Sequence, residues 1–215
     1  MATLHWRGST LLGPVPPAMV TVKDPAKKSG GNIITVAWTG IINTHPPKAY
    51  ISVRPQRYSY RLLCDTRECI IHLTTRALVQ AADFCGMHTG AKMDKFMRCN
   101  LTPVPAETVD VPRIAQCPLA LECRITDIHP LGSHDMMLCD IVTVDVDEAL
   151  LDKKGKLHLE RAGICGFLHG TYYALRERVA SFGDSVRKPN RTKKQTQSFR
   201  HIDKKTSDKN KKKPS

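Results

Sequence analysis

Apolar and polar positions alternate with a period of two over Ala18–Lys23, which predicts a first strand. A longer run, 33–42, is rich in β-branched residues and reads as a strand ending near Gly40 and Ile42. Side chains alternate across a strand, so Ile34, Val36, Trp38 and Ile42 are predicted on one bulky, core-facing side. Ile33, Thr35, Ala37, Thr39 and Ile41 fall on the other. His45-Pro46-Pro47 interrupts the run, because proline cannot donate to a ladder. Residues 49–53 resume as a strand with Tyr50, Ser52 and Arg54 on one side, which puts Ser52 and Arg54 roughly 6–7 Å apart. Pro55 ends it, and a short helix is predicted near 57–65.

Residues 68–74 form the next predicted strand. Thr75 is placed to cap a helix carrying Ala77, Leu78, Ala81, Ala82 and Cys85 at helical spacing, with Gly86 as its stop. Asp94-Lys95-Phe96 suggests one helical turn, and the proline-rich stretch 101–117 an irregular traverse. Leu119, Leu121, Cys123 and Ile125 alternate with polar or small residues, 130–135 is a turn, and 136–146 runs back as a long strand. Short, regularly spaced strands with few short helices predict a mainly β barrel or sandwich.

Charge alters the picture only at one end. Residues 187–215 hold twelve Lys or Arg against two Asp, so this stretch carries ten of the net +13. With one Phe and one Ile it cannot bury enough surface to offset the entropy of ordering, which predicts a disordered basic tail. The expected organisation is an arm over 1–11, a domain over 12–186 and that tail. Lysine contacts to phosphates would let the tail touch nucleic acid, a rival reading. No run of about 18 apolar residues is present, so no membrane helix is expected. The first residues lack an apolar signal core, which makes a cytoplasmic location the expectation. The eight cysteines include no CxxC pair and sit in apolar runs, so neither a metal site nor a disulfide framework is expected.

Candidate chemistry gathers where the second strand pair ends. Arg54 is a cation at a strand end, and the following helix start offers free N–H groups and the Ser59 hydroxyl, a combination suited to phosphate. A solvated arginine and a self-capping serine fit the same residues.

The segments NIITVAWTGIINTHPP, YISVRPQRYSY, HLTT, DFCG, DKF, LGSHDM, DEALLDKKGKL and SFGDSVRK, in this order across residues 12–188, resemble the flavoredoxin branch of the flavin reductase-like FMN-binding split-barrel family. The resemblance implies a Greek-key split β-barrel, a homodimer, FMN as cofactor and NADH or NADPH as electron donor. It implies that Ala37, Trp38 and Thr39 pass along the flavin ring and that Ser52, Arg54 and Ser59 surround the phosphate. Thr74 and Thr75 would lie near the ribityl chain or phosphate. Phe84, Cys85 and Gly86 would close over the flavin, and Lys95 would add a cation. His134 stands where many relatives carry a Gly-Asp-His signature, but the order here is Ser-His-Asp, so its part in catalysis at the nicotinamide stays open. Read without the family, His134 and Asp135 form a polar turn, Thr74 and Thr75 a strand end and a cap, Trp38 a core residue and Cys85 a buried structural thiol. Because flavin supplies the hydride chemistry, no nucleophile or acid–base pair is required of the protein. Two readings follow: an NAD(P)H-dependent oxidoreductase passing electrons through FMN to a flavin, metal or protein acceptor, or an FMN-binding electron carrier without NAD(P)H activity.

Overall fold

The computed structural model describes residues 3–186. The chain forms two units, Met1–Arg176 and Glu177–Ser215. Of the second, residues 177–186 are described and hold a short 3-10 turn at Asp184–Val186. The predicted basic tail, 187–215, lies outside the described residues.

In the first unit, residues 3–14 are exposed and free of regular structure. The strands are β1 (Ala18–Lys23), β2 (Gly31–Val36), β3 (Thr39–Thr44), β4 (Pro47–Val53) and β5 (Glu68–Leu73). Two-residue strands β6 (Pro103–Val104) and β7 (Arg113–Ile114) pair within the traverse. Long strands β8 (Leu119–Pro130) and β9 (Asp135–Val146) follow, then a hairpin of β10 (Cys165–Leu168) and β11 (Thr171–Ala174). The helices are α1 (Tyr58–Thr66), α2 (Val79–Met87) and α3 (Lys95–Arg98).

Seven strands make one antiparallel sheet in the order β2-β1-β5-β8-β9-β4-β3. Its edge strands, β2 and β3, are joined by only Ala37 and Trp38. Two residues cannot span an open sheet, so the edges must lie side by side and the sheet curls into a split barrel. The Ser52 N–H bonds the Trp38 carbonyl at 2.9 Å, which carries the β3–β4 ladder up to this seam.

The predicted single strand over 33–42 is therefore two strands with different partners: β2 pairs with β1, and β3 with β4. The predicted core-facing side fails beyond the seam. Trp38 is 40% exposed and Ile42 47%, because β3 is an edge strand outside the closed part of the barrel.

Val20, Val22, Ile34, Ile51, Ile71 and Met137 fill the barrel interior, with Leu63 of α1 packed against them. The outer face of β1 and β2 is also covered: Met19 and Ile33 pack against Ala82 and Cys85 of α2 and Phe96 of α3. Burying each large apolar side chain contributes about 1.5–3 kcal/mol. Two buried polar groups hold the traverse to the sheet. The Glu122 carboxylate accepts N–H bonds from Glu107, Thr108 and Val109 at 2.7, 2.7 and 3.1 Å. His72 donates through Nδ1 to the Met19 carbonyl and accepts the Ile114 N–H at Nε2, and burial pulls its pKa down to about 4.

One expected helix boundary holds and one needs correction. Thr75 stands at the N-cap position as expected, ahead of a 3-10 turn at Arg76–Leu78 that leads into α2, but its side chain makes no capping bond and its backbone bridges to Ile164. Gly86 lies inside α2, not beyond it. A Cβ there would come 3.3 Å from the Thr35 Cβ, so this glycine lets α2 approach β2 closely.

Candidate functional site

Two cavities adjoin at the barrel seam. The larger, about 150 Å³, is walled by β2, by Ala37 and Trp38, by Ser52 and Arg54 at the end of β4, and by His134. The smaller, about 120 Å³, is walled by Arg57, Ser59, Cys85, His88, Thr89, Gly90 and Lys95. Ile34 and Arg57 belong to both.

The smaller cavity is built by three elements. Ser59 is held by the Asn32 amide, which donates to its Oγ at 2.7 Å and leaves the hydroxyl hydrogen free to point elsewhere. Asn32 Oδ1 is buried with no hydrogen-bond partner. Gly90 must lack a side chain, since a Cβ would fall 2.0 Å from that oxygen. Asp94 caps α3 by accepting from Phe96 and Met97, and it also binds Ser29, which locks the start of the helix carrying Lys95. The Lys95 ammonium donates to the Ile33 and Cys85 carbonyls at 2.7 and 2.8 Å, leaving one of its three donors. Burial, with the Arg57 charge adding to it, pulls the Lys95 pKa down to about 8. Burial pushes the Cys85 thiol up to about 12 despite Lys95 beside it, so this cysteine is not a thiolate. No Asp or Glu lines the cavity. Two full-time or part-time cations, an imidazole and two hydroxyls around so small a space suit a phosphate dianion.

In the larger cavity, His134 ends the β8–β9 turn. Its ring centroid lies 4.5 Å from that of Trp38, with the planes tilted by 43°. Its Nδ1 faces Ser133 Oγ at 3.0 Å. Burial, then the charges of Arg54 and Arg57, lower its pKa, so the imidazole is neutral at pH 7. The small Ala37 at the seam permits close approach of a flat ring to backbone.

The expected site residues thus divide. Ser52, Arg54, Ala37, Trp38 and His134 share the larger cavity, and Ser59, Cys85 and Lys95 the smaller. Thr39, Thr74, Thr75, Phe84 and Gly86 wall neither. The Thr39 hydroxyl donates to the Tyr50 carbonyl at 2.6 Å. Thr74 is buried with its hydroxyl unpaired. Phe84 stacks on His88 at 4.0 Å. Trp38, read without the family as core, presents an exposed ring to His134. Arg57 and the 88–90 segment were missed. The signal for Arg57 was present: it follows Arg54 by one turn, at the N-cap of α1. Among the described residues, no group of three or more His, Cys, Asp or Glu could hold a metal ion. All eight cysteines are free thiols.

Closed antiparallel barrel, split seam and cation-lined cavity define a flavin-binding class of protein. The Flavin reductase like domain model matches residues 13–172, and the chain belongs to that family. It is similar to the flavoredoxin of Desulfovibrio vulgaris (Miyazaki F), with 30% identity, TM-score 0.76, and coverage of 86% of this chain and 100% of that one. It shares its fold with the flavoredoxin of Methanosarcina acetivorans, at 18% identity, TM-score 0.77, and coverage of 87% and 100%. A curated relative, an uncharacterized protein of Archaeoglobus fulgidus, is 28% identical over 57% of this chain and 70% of its own length. Membership places the chain among flavin-binding proteins of oxidoreductase type. No helix among the described residues is long and apolar enough to cross a membrane.

Proposed function

We propose that the chain is an FMN-dependent oxidoreductase in which NADH or NADPH supplies the electrons and a flavin, metal complex or protein receives them. The observation that carries this reading is the pair of adjoining cavities, one beside a flat, aromatic-edged seam and one lined by cations without carboxylates. FMN ends in one phosphate, and the smaller cavity has room for one such group. FMN, with that single phosphate, is the cofactor we infer.

In this reading Arg57, Ser59, Thr89 and Lys95 hold the phosphate. Arg57 takes the role in preference to Arg54 because it walls the same cavity as Ser59 and Lys95. Ala37 and Trp38 border the ring, with Ser52 beside Trp38. When bound, the flavin accepts a hydride and releases electrons. The protein would bind and orient the flavin and exclude water, and neutral His134, which lines the larger cavity, would be the residue to meet the nicotinamide. The exposed apolar residues Ile41 and Ile42 on β3 and Val142 and Val144 on β9 give the reading a homodimer, since a monomer would leave them in water.

The test is anaerobic mixing of the FMN-loaded protein with NADH or NADPH while flavin absorbance is followed. Bleaching with at least one nucleotide is the expected result. A protein that holds FMN but is bleached only by dithionite is an electron carrier, the second reading.

A further inference from the structure

The flavin reading gives Ser59 and Thr89 a part but leaves Asn32 without one. Asn32 stands on β2, is 1% exposed and lines neither cavity of the seam. Its amide nevertheless meets both walls of the smaller one. On one side Nδ2 donates to Ser59 Oγ at 2.7 Å, which ties β2 to the first turn of α1. On the other, Oδ1 lies 2.0 Å from where a Cβ on residue 90 would stand, so the 88–90 segment can close over Asn32 only with glycine there. Oδ1 itself is buried without a hydrogen-bond partner. An unpaired buried oxygen costs stability, and an apolar side chain of the same shape would avoid that cost. The amide is therefore retained for what its N–H does to Ser59.

That bond has a direction, and the direction matters to a ligand. Because Ser59 Oγ accepts from Asn32, its single hydrogen is released, and no group among the described residues takes it. Thr89 is set the same way round: its Oγ1 accepts the Ala91 N–H at 3.3 Å, which frees its hydrogen too. Resting on the flavin reading above, we propose that Asn32 is a positioning residue that holds Ser59 as a hydrogen-bond donor and so makes the cavity specific for an oxyanion whose oxygens only accept. A fully ionised terminal phosphate is such a group. With the remaining Lys95 N–H and the Arg57 guanidinium, both hydroxyls then serve it at once. Riboflavin, which ends in an alcohol where FMN carries phosphate, has no such set of acceptors. Asn32 touches no ligand and acts only through Ser59.

The experiment is fluorescence titration of the full-length apoprotein with FMN and, separately, with riboflavin, the ratio of the two Kd values being the quantity read. Asn32→Leu keeps the shape of the side chain and removes the donor. It should weaken FMN by about three- to tenfold while riboflavin stays within about twofold. Asn32→Asp, which must accept from Ser59 and adds a charge, should weaken FMN further, and it serves as the second variant if Asn32→Leu does not fold. In a Ser59→Ala background Asn32→Leu should change FMN by less than about twofold, because the residue it acts through is gone. An FMN preference unchanged within about twofold in Asn32→Leu would overturn the proposal. So would a parallel loss of FMN and riboflavin, or an undiminished effect in Ser59→Ala, either of which makes Asn32 a brace between β2 and α1 and leaves the flavin reading intact. If the unsubstituted protein binds neither flavin, the flavin reading itself fails and this proposal with it.

Discussion

Arg57→Ala separates ligand binding from folding more cleanly than any other substitution at the smaller cavity. Arg57 is exposed, and its guanidinium makes no hydrogen bond or ion pair among the described residues. A substitution of this kind should move folding stability by no more than about 0.5 kcal/mol. Against FMN the same change removes one charge-assisted phosphate contact, about 1.5–3 kcal/mol, or roughly 10- to 150-fold in Kd. Because Arg57 is partly wet, the lower half of that range is expected. Lys95→Met would mislead here, since it also strips the Ile33 and Cys85 carbonyls of their donor and would cost fold as well as ligand. The assay is fluorescence titration of apoprotein with FMN, beside a thermal melt of the same sample. A loss under about threefold with an unchanged melt removes Arg57 from the phosphate site. A collapsed melt would show that the side chain supports the fold, contrary to the geometry.

FMN affinity should fall as pH rises through about 8, because the depressed Lys95 pKa means its positive charge is full well below that pH and lost above it; a Kd flat from pH 6.5 to 9.5 counts against a Lys95–phosphate contact. His134→Ala should slow reduction by NAD(P)H while leaving FMN affinity within about threefold, since the phosphate contacts lie on other segments; stopped-flow bleaching and titration read the two separately. Gly86→Val should destabilise the protein by about 1–3 kcal/mol in urea unfolding, because the added Cβ would come 3.3 Å from the Thr35 Cβ and its two methyls must displace α2 from β2. Sedimentation of the full chain at micromolar concentration should give a homodimer, and a monomer would remove the partner copy from the account.

Much of the barrel was legible. β1 and β5 show up as alternation bounded by turn residues, and 119–146 as a long hairpin, because each pairs along most of its length. The seam was not. Nothing local distinguishes Val36 from Trp38; the break exists because β2 and β3 find partners at opposite ends of the sheet order. The exposure of Trp38 and Ile42 follows from that topology, and alternation alone assigns them to a core. The bond joining His72 to Ile114 and those joining Glu122 to residues 107–109 were equally hidden, since each links segments far apart in sequence. At the site, residue types pointed to a phosphate but not to which arginine holds it. Arg54 and Arg57 are both plausible by spacing, and only the cavity shared with Ser59 and Lys95 separates them.

The central claim is that this chain binds FMN at the barrel seam. The absorbance spectrum of the purified, FMN-reconstituted protein, followed by heat release and chromatographic identification of the flavin, tests it most directly. The account expects a yellow protein carrying about one FMN per chain. Recovery of FAD, or of no flavin after reconstitution, would contradict it.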